Sequence, residues 1–237
     1  MKKLKIGIIG VGRLGYEHAC NIANRVPGSE LVAIADANFD RAKQVAEELG
    51  VTAVYNDPKA LCADPNVEAV AIITNTASHV EMIKIAMDAG KHVFCEKPLA
   101  DTVEKCKEAE AIIAAHPELT FMLGFMRRYD HSYQVAKKKM ENGDIGDVIL
   151  VRCYSQDPIS IIEGTLEYAP RSGGQFIDMS IHDFDLIRWL TGSEVKELWA
   201  TGGCYEFKQY KDWDDGDNVS GLMKMENDAM AFFFAGR

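Results

Sequence analysis

Short apolar runs alternate with amphipathic segments over the first half of the chain. Strands buried on both faces of a sheet show near-continuous apolar runs, and helices repeat apolar residues every three or four positions. On this basis we predict strands at 4–10, 30–36, 51–55, 67–73, 91–95 and 119–123, and helices at 13–26, 39–49, 57–63, 78–89 and 101–115. The alternation of strand and helix predicts a parallel, doubly wound α/β sheet with right-handed crossovers.

The alternation stops after Gly124. We predict a helix at 130–142, a strand at 147–156, an irregular stretch at 158–173, a helix at 176–190, and strands at 195–203, 218–225 and 229–235. Consecutive strands without helices between them indicate an antiparallel or mixed sheet, and Glu226-Asn227-Asp228 suits a hairpin turn. The sequence therefore predicts two domains, an α/β domain over 1–124 and an α+β domain with an open, mostly antiparallel sheet over 125–237.

The last segment, 229–237, is apolar and strand-like. A hydrophobic terminal strand needs neighbours and a covered face. Either another subunit supplies that cover or the chain is a fragment of a longer one.

Composition narrows the range of partners. The 237 residues carry 36 acidic and 26 basic side chains, for a net charge of −10, and 47% are apolar. Binding to nucleic acid or to an anionic membrane surface needs a basic face, so we predict neither partner. The opening lysines and apolar run imitate a signal peptide, but glycines break the run and no cleavage site follows. No stretch approaches the ~20 apolar residues needed to span a bilayer.

The cysteines are scattered, without a C-x-x-C pair or a Cys/His spacing that fits zinc, so we predict no metal. In a chain of this length they indicate reduced, mostly buried thiols and a cytoplasmic protein. They are Cys20, Cys62, Cys95, Cys106, Cys153 and Cys204.

A glycine-rich turn carries the clearest chemistry. Residues 10–15 match G-x-G-x-x-G directly after a predicted strand and at the start of a predicted helix. The glycines permit a tight turn, close approach of a pyrophosphate and packing of helix on strand, while the helix N-terminus offers N–H groups to phosphates. Asp36 ends the second strand, where a carboxylate accepts from the ribose hydroxyls of NAD and repels the 2′-phosphate of NADP. The alternative is a plain glycine turn with a surface aspartate. The predicted NAD contacts here are Gly10, Gly12, Arg13, Leu14, Gly15 and Asp36.

Polar residues follow the predicted strand at 67–73. Thr74 and Asn75 lie at its carboxyl end, where ligands bind in open parallel sheets, so we predict that they contact the cofactor. Ser78, with Glu81 three positions later, fits a helix capping box, and we favour that structural role for it. His79 can serve either role.

Glu96-Lys97-Pro98 ends the next predicted strand. Pro98 biases Lys97 toward an extended backbone conformation, which restricts the direction of the lysine side chain. Beside a nicotinamide, Lys97 could stabilise a developing alkoxide or donate to a substrate hydroxyl. Glu96 is a further predicted cofactor contact. The alternative is a solvated lysine in a tight turn.

Asp178 and His182 are four positions apart, which places them on one face of a predicted helix. A carboxylate beside an imidazole fixes its tautomer and stabilises the imidazolium, as a general base requires. The alternative is a surface ion pair, with Asp185 as a rival partner for His182. The preceding Gly173-Gly174 pair admits a ligand close to the helix and favours the functional role. Structural roles are predicted for His18, His92, His116 and His131.

Taken together, these motifs resemble those of the Gfo/Idh/MocA oxidoreductase family. The marks are the glycine-rich turn, Glu96-Lys97-Pro98, and the Asp178/His182 pair after two glycines. Residues 124–130 and 177–183 look most like the inositol 2-dehydrogenases within that family. The resemblance implies an N-terminal Rossmann domain that binds NAD and a C-terminal α/β domain with a large open sheet. It also implies Lys97, Asp178 and His182 as a catalytic group, and a homo-oligomer, a tetramer or a dimer, formed through that sheet.

Two departures from the family pattern affect the prediction. Family members continue well beyond Arg237, so we expect the C-terminal domain to be incomplete. Ser155-Gln156-Asp157 also stands where inositol dehydrogenases often carry a histidine and an asparagine, which leaves the substrate open among inositol isomers and sugars.

The predicted activity is NAD-dependent oxidation of a secondary hydroxyl of a cyclic polyol, with myo-inositol as the first choice. His182 takes the hydroxyl proton, Asp178 orients His182, and Lys97 stabilises charge on the oxygen. Arg127 and Asp157 are the predicted hydroxyl-binding residues, because a polyol needs several paired polar contacts. The alternatives are a dehydrogenase for scyllo-inositol or an aldose, and a non-catalytic NAD-binding paralogue or fragment.

Overall fold

The computed structural model describes residues 2–237. The chain forms two compact units, of which the first ends at Gly124 and the second begins at Phe125.

The N-terminal unit is a parallel six-stranded sheet with the strand order β3-β2-β1-β4-β5-β6. Every neighbouring pair is parallel, and helices connect successive strands, which confirms the predicted doubly wound fold. The strands are β1 (Leu4–Ile9), β2 (Ser29–Ala35), β3 (Ala53–Tyr55), β4 (Ala69–Ile72), β5 (His92–Cys95) and β6 (Phe121–Leu123). The helices are α1 (Arg13–Asn24), α2 (Phe39–Leu49), α3 (Pro58–Ala63), α4 (His79–Asp88) and α5 (Val103–Ala114).

The central strands are buried on both faces because a separate apolar cluster covers each face. Ile8 and Ile34 belong to one cluster, and Val70 and Ile72 belong to the other; all four are completely buried. Burial of these strands on both faces explains the near-continuous apolar runs in the sequence. The two clusters fix the sheet and so fix the carboxyl ends of β1, β2, β4 and β5, where the predicted site residues lie.

The start of α4 differs from the prediction. A 3₁₀ turn, Thr76–Ser78, precedes the helix, and Ser78 makes no side-chain cap to it. Ser78 has helical backbone angles, φ −96° and ψ −6°, whereas a capping residue is normally extended. The predicted capping box is therefore wrong, and the hydroxyl of Ser78 bonds back toward the end of β4 instead.

The C-terminal unit is an open four-stranded sheet with the order β7-β10-β9-β8. Its strands are β7 (Leu150–Gln156), β8 (Val195–Gly203), β9 (Asn218–Met225) and β10 (Met230–Gly236). Strand β10 is parallel to β7 and antiparallel to β9, and β9 is antiparallel to β8, which confirms a mixed, mostly antiparallel sheet. The helices are α6 (His131–Glu141), α7 (Ile162–Tyr168), α8 (Gln175–Asp178) and α9 (Ile181–Thr191). Residues of α9, among them Leu186 and Ile187, pack with inward-facing strand residues such as Phe233.

Two predictions for this unit are wrong in detail. The stretch 158–173 is mostly helical: α7 lies between two 3₁₀ turns, Ile159–Ile161 and Ala169–Arg171. Its proline and glycine residues hide that structure in the sequence. The helix predicted at 176–190 is interrupted after Asp178, because Ser180 N–H bonds to Gln175 O, five residues back, and α9 starts afresh.

Within residues 2–237, no helix combines the length and apolarity needed to cross a bilayer. All six cysteines are free thiols, and three of them, Cys62, Cys95 and Cys153, are buried. Burial raises the pKa of Cys62 to about 11 and that of Cys153 to about 12. These thiols are therefore protonated and unreactive at neutral pH.

Candidate functional site

The glycine-rich turn needs a different property at each glycine. Gly10 has φ +90°, and a Cβ there would lie 2.6 Å from the carbonyl oxygen of Ile73. A Cβ on Gly15 would lie 2.0 Å from Gly10 O, so only glycine lets α1 pack this closely on the turn. No atom lies within 4 Å of a Cβ built on Gly12, which leaves that backbone open to a ligand. Arg13 and Leu14 are exposed at the start of α1.

Asp36 follows β2 directly, and backbone amides fix its carboxylate. Oδ2 accepts from Val11 N–H at 2.7 Å, and Oδ1 accepts from Asn38 N–H at 2.8 Å. Val11 belongs to the glycine-rich turn, so the carboxylate is tied to the place where a pyrophosphate would bind. Each oxygen keeps a second lone pair for a ribose hydroxyl.

A cavity of about 400 Å³ connects these elements. Its lining includes Gly10, Gly12, Asp36, Thr74 and Asn75. The open backbone at Gly12, the helix start and the fixed carboxylate match the phosphate and ribose groups of a dinucleotide. The residues present therefore fit NAD, and the cavity brings five of the predicted cofactor contacts together.

The end of β4 is internally bonded. Ser78 Oγ donates to Asn75 O at 2.9 Å and lies 2.8 Å from the hydroxyl oxygen of Thr74. These bonds hold Thr74 and Asn75 in a fixed turn, and Asn75 is exposed beside the cavity. Their contact with the cofactor stays a prediction.

The turn after β5 is held through Glu96. Its Oε2 accepts from Lys97 N–H at 3.0 Å, and its Oε1 lies 3.0 Å from Nε2 of His18. Lys97 is half-buried, Pro98 is buried, and the peptide between them is cis. From the sequence we predicted only a structural role for His18, but its position one turn after Gly15 on α1 could have indicated that it supports this segment.

In the C-terminal unit, Asp178 ends α8 and His182 is the second residue of α9. The ring of Phe125 stands edge-on to His182, with centroids 6.4 Å apart. Asp185, the rival partner proposed for His182, is buried and bound by Arg128 through bonds of 2.6 and 2.8 Å. Asp185 is thus part of a structural ion pair.

Arg127 is the centre of a second buried ion pair. Its Nη1 bonds to the completely buried carboxylate of Asp183, and its Nη2 donates to Ser155 Oγ at 2.8 Å. Ser155 Oγ in turn donates to Asp183 at 2.8 Å. Arg127 is 20% exposed, and its role in hydroxyl binding stays a prediction.

Arg237 is the residue in this unit that the sequence analysis missed. Its Nη1 donates to Asp157 at 3.0 Å and its Nη2 to Asp178 at 2.8 Å, with only 4% of the side chain exposed. Burial lowers the pKa of Arg237, but the two carboxylates outweigh burial and raise it above its ordinary value. One guanidinium therefore joins a predicted substrate residue to a predicted catalytic residue. Nothing in the sequence marks this pairing, because its members lie on distant segments.

Among residues 2–237, no group of three or more His, Cys, Asp or Glu side chains is arranged to hold a metal ion. The predicted site residues and their partners in the two units are mainly carboxylates, imidazoles, one lysine and buried guanidinium groups.

Comparison with known proteins gives matches over nearly the whole chain. A family model described as an oxidoreductase family with an NAD-binding Rossmann fold matches residues 4–125. A model of the Gfo/Idh/MocA C-terminal domain matches residues 133–237.

Curated relatives are longer than this chain. It is 37% identical over 234 residues to the myo-inositol 2-dehydrogenase of Thermotoga maritima, covering 96% of this chain and 66% of that protein. It is 38% identical over 217 residues to the scyllo-inositol 2-dehydrogenase (NAD(+)) of Bacillus subtilis, covering 90% and 62%. The chain thus spans about two thirds of the length of these relatives.

Solved structures agree with these matches. The crystal structure of scyllo-inositol dehydrogenase from Lactobacillus casei with bound NAD(H) and scyllo-inositol is similar at a TM-score of 0.94 and 39% identity, covering 100% of this chain and 70% of that one. Both family models together with the parallel sheet and its glycine-rich turn lead to one assignment. The chain belongs to the Gfo/Idh/MocA family of oxidoreductases, and its N-terminal unit is an NAD-binding Rossmann domain.

Proposed function

We propose that this protein is an NAD-dependent dehydrogenase that oxidises a secondary hydroxyl of a cyclic polyol, with myo-inositol as the first choice. The observation that carries the proposal is the carboxylate of Asp36, fixed by Val11 N–H beside the open backbone of Gly12. This arrangement suits the ribose of NAD and disfavours a 2′-phosphate. The inositol dehydrogenases among the relatives support the substrate class.

The proposed roles divide the reaction between proton and hydride. Bound NAD supplies the hydride acceptor, so the protein needs to position the substrate and manage its proton. His182 removes the hydroxyl proton, Asp178 orients His182, and Lys97 stabilises negative charge on the oxygen. The alcohol thus loses one proton to the imidazole and one hydride to the cofactor, and becomes a ketone.

The identity of the polyol remains part of the proposal. Arg127 and Asp157 are the proposed hydroxyl-binding residues, and each is held by another charged group, Asp183 and Arg237 respectively. Fixed polar groups discriminate strongly between isomers, because a misplaced hydroxyl leaves them unpaired. A panel of myo-inositol, scyllo-inositol and aldoses, assayed by NADH formation, tests this choice. Tight NAD binding without reduction by any of them would favour a non-catalytic paralogue.

We also propose that the C-terminal sheet pairs with other copies of this chain, in a dimer or a tetramer. Its outer face exposes more than half of Trp199, Leu222 and Met230. Trp199 and Leu222 are register partners on adjacent strands, so the exposed apolar side chains adjoin each other. Contiguous exposed apolar surface marks an association site.

The test of that association is the mass of the protein in solution. We expect Trp199→Glu to shift sedimentation toward the monomer, because it places a charge in the proposed interface. Tyr133→Glu, which changes an exposed aromatic residue on α6, serves as the control. An unaltered mass for Trp199→Glu would contradict the proposal.

A reducing compartment, the cytoplasm, is the proposed location. All six thiols are free, and the buried ones have raised pKa values because of burial. Expression with a fluorescent fusion and fractionation of the native host tests the location.

A further inference from the structure

His79 is buried between two segments that carry proposed site residues. Its side chain belongs to the first residue of α4, and the residue is 1% exposed. Nδ1 lies 2.8 Å from the carbonyl oxygen of Pro98, and Nε2 lies 3.3 Å from that of Thr74. Thr74 follows β4, and Pro98 follows Lys97 at the end of β5. One ring therefore spans the ends of two neighbouring strands.

The chemistry of the ring decides which contact is a strong hydrogen bond. Burial lowers the pKa of His79, and this outweighs the two carbonyl oxygens and the charge of Glu96, which raise it. The ring is therefore neutral at neutral pH, and a neutral imidazole has one N–H donor. The shorter distance assigns that proton to Nδ1, which donates to Pro98 O.

Loss of the His79 donor would cost the carbonyl oxygen of Pro98 this hydrogen bond. Pro98 is buried, and its carbonyl oxygen accepts this bond inside the protein. A buried carbonyl without a donor costs free energy, so the segment would move to find one. Lys97 is the preceding residue, and any such movement would displace its side chain.

We infer that His79 is a positioning residue that fixes the Lys97–Pro98 segment through one hydrogen bond from Nδ1 to Pro98 O. The role assigned to Lys97 belongs to the proposed function, so the effect on turnover rests on that proposal. The hydrogen bond itself does not. Glu96 also binds this segment, through Lys97 N–H. His79 thus acts on the lysine without touching substrate.

Two amide variants separate this role from simple packing. The amide nitrogen of asparagine can take the place of Nδ1, whereas that of glutamine reaches toward the place of Nε2. We expect His79→Asn to keep kcat within about threefold of the parent and His79→Gln to lower it by about tenfold, which corresponds to about 1.4 kcal/mol. Both variants should bind NAD with little change, since neither alters Asp36 or the glycine-rich turn. Equal losses in the two variants would overturn the inference.

The control is His92, a half-buried histidine in the same unit. Its Nδ1 accepts from Thr120 N–H at 3.0 Å at the start of β5, the opposite end of the strand from Lys97. His92→Gln should leave kcat unchanged. A loss matching that of His79→Gln would mean that a histidine change elsewhere in this unit has the same effect, which would also overturn the inference.

A spectroscopic readout keeps the test independent of turnover. Long-range ¹H–¹⁵N correlation spectra distinguish a histidine protonated at Nδ1 from one protonated at Nε2. We expect the His79 signal, assigned by its loss in His79→Asn, to show the neutral Nδ1–H form. An Nε2–H form would overturn the inference even if the enzyme is active. The Nδ1–H form in a protein that reduces no NAD would uphold the hydrogen bond and refute the proposed function.

Discussion

The two units hold their site residues by different kinds of partner. In the N-terminal unit backbone amides hold the predicted carboxylates: Asp36 accepts from two amides, and Glu96 accepts from Lys97 N–H. In the C-terminal unit the partners are side chains of opposite charge: Arg127 pairs with Asp183, and Asp178 pairs with Arg237. The arginine pairs link positions 56 and 59 residues apart.

This difference has an energetic consequence. A group held by backbone amides keeps its partners whatever other side chains change. A buried carboxylate held by an arginine loses its compensating charge when that one side chain is removed, and an unpaired buried charge is costly. The C-terminal unit should therefore be the more sensitive of the two to single substitutions at its site.

The largest expected effect concerns two of the proposed catalytic residues, one in each unit. Lys97→Ala and His182→Ala should each lower turnover by about 10²- to 10⁴-fold, the range for removal of a proton-transferring or charge-stabilising group. NAD should still bind, because neither residue belongs to the glycine-rich turn. Steady-state rates and NAD titration measure both quantities. Lys84→Ala, which removes a surface lysine paired with Asp88, is the control. Normal turnover in either catalytic variant would refute its assignment.

The second largest effect is expected at Arg237, which binds two carboxylates in the C-terminal unit. Arg237→Met should destabilise the C-terminal unit by about 3 to 5 kcal/mol, because it leaves Asp157 and Asp178 without their shared cation. All three tryptophans, Trp189, Trp199 and Trp213, lie in this unit, so fluorescence during urea unfolding reports on it.

Arg188→Met is the matched control for that experiment. Arg188 pairs with Glu194 on the surface, where the two side chains are 50% and 60% exposed. Its loss should cost about 1 kcal/mol or less. Similar losses of stability for the two variants would contradict the comparison between buried and surface pairs.

A smaller effect is expected at Asp217, a carboxylate of the C-terminal unit that backbone amides hold. It is buried and accepts from the N–H groups of Tyr205, Glu206 and Phe207. Asp217→Asn should cost about 1 to 3 kcal/mol in the same fluorescence assay, since it weakens hydrogen bonds to a charged group.

The pH dependence of stability sharpens the Asp217 test. Burial raises the pKa of Asp217, but its hydrogen-bond donors outweigh burial and lower the pKa below its ordinary value. The stability from this group is therefore present above the ordinary pKa of an aspartate and is lost as the pH falls through the folded value. Asp217→Asn should lose less stability on acidification than the parent. A parallel loss in both proteins would show that the carboxylate is not the titrating group.

The smallest effect is expected at the cofactor site. Asp36→Ala should weaken NAD binding by about tenfold, a loss of about 1.4 kcal/mol, because the ribose loses its acceptor. It should also reduce the preference for NAD over NADP, because the repelling charge is gone. Calorimetric titration with each cofactor measures both changes. Unaltered NAD affinity would count against the ribose role.

The sequence predicted the N-terminal unit well because its signals are local. Apolar runs in the sequence indicate β1, β2 and β4, and the spacing of the glycines at 10–15 indicates the cofactor-binding turn. The strands of the C-terminal unit were also predicted, but the break between α8 and α9 was not, since it depends on a bond from Ser180 to Gln175. Arg237 could not be predicted as a site residue, because its partners meet it only through tertiary folding.

The most direct test of the proposed function is reduction of NAD by the purified protein in the presence of myo-inositol, followed by NADH absorbance. We predict NADH formation that depends on the polyol and that disappears in His182→Ala. NAD binding of ordinary affinity with no reduction by myo-inositol, scyllo-inositol or any aldose would contradict the assignment of this chain as a polyol dehydrogenase.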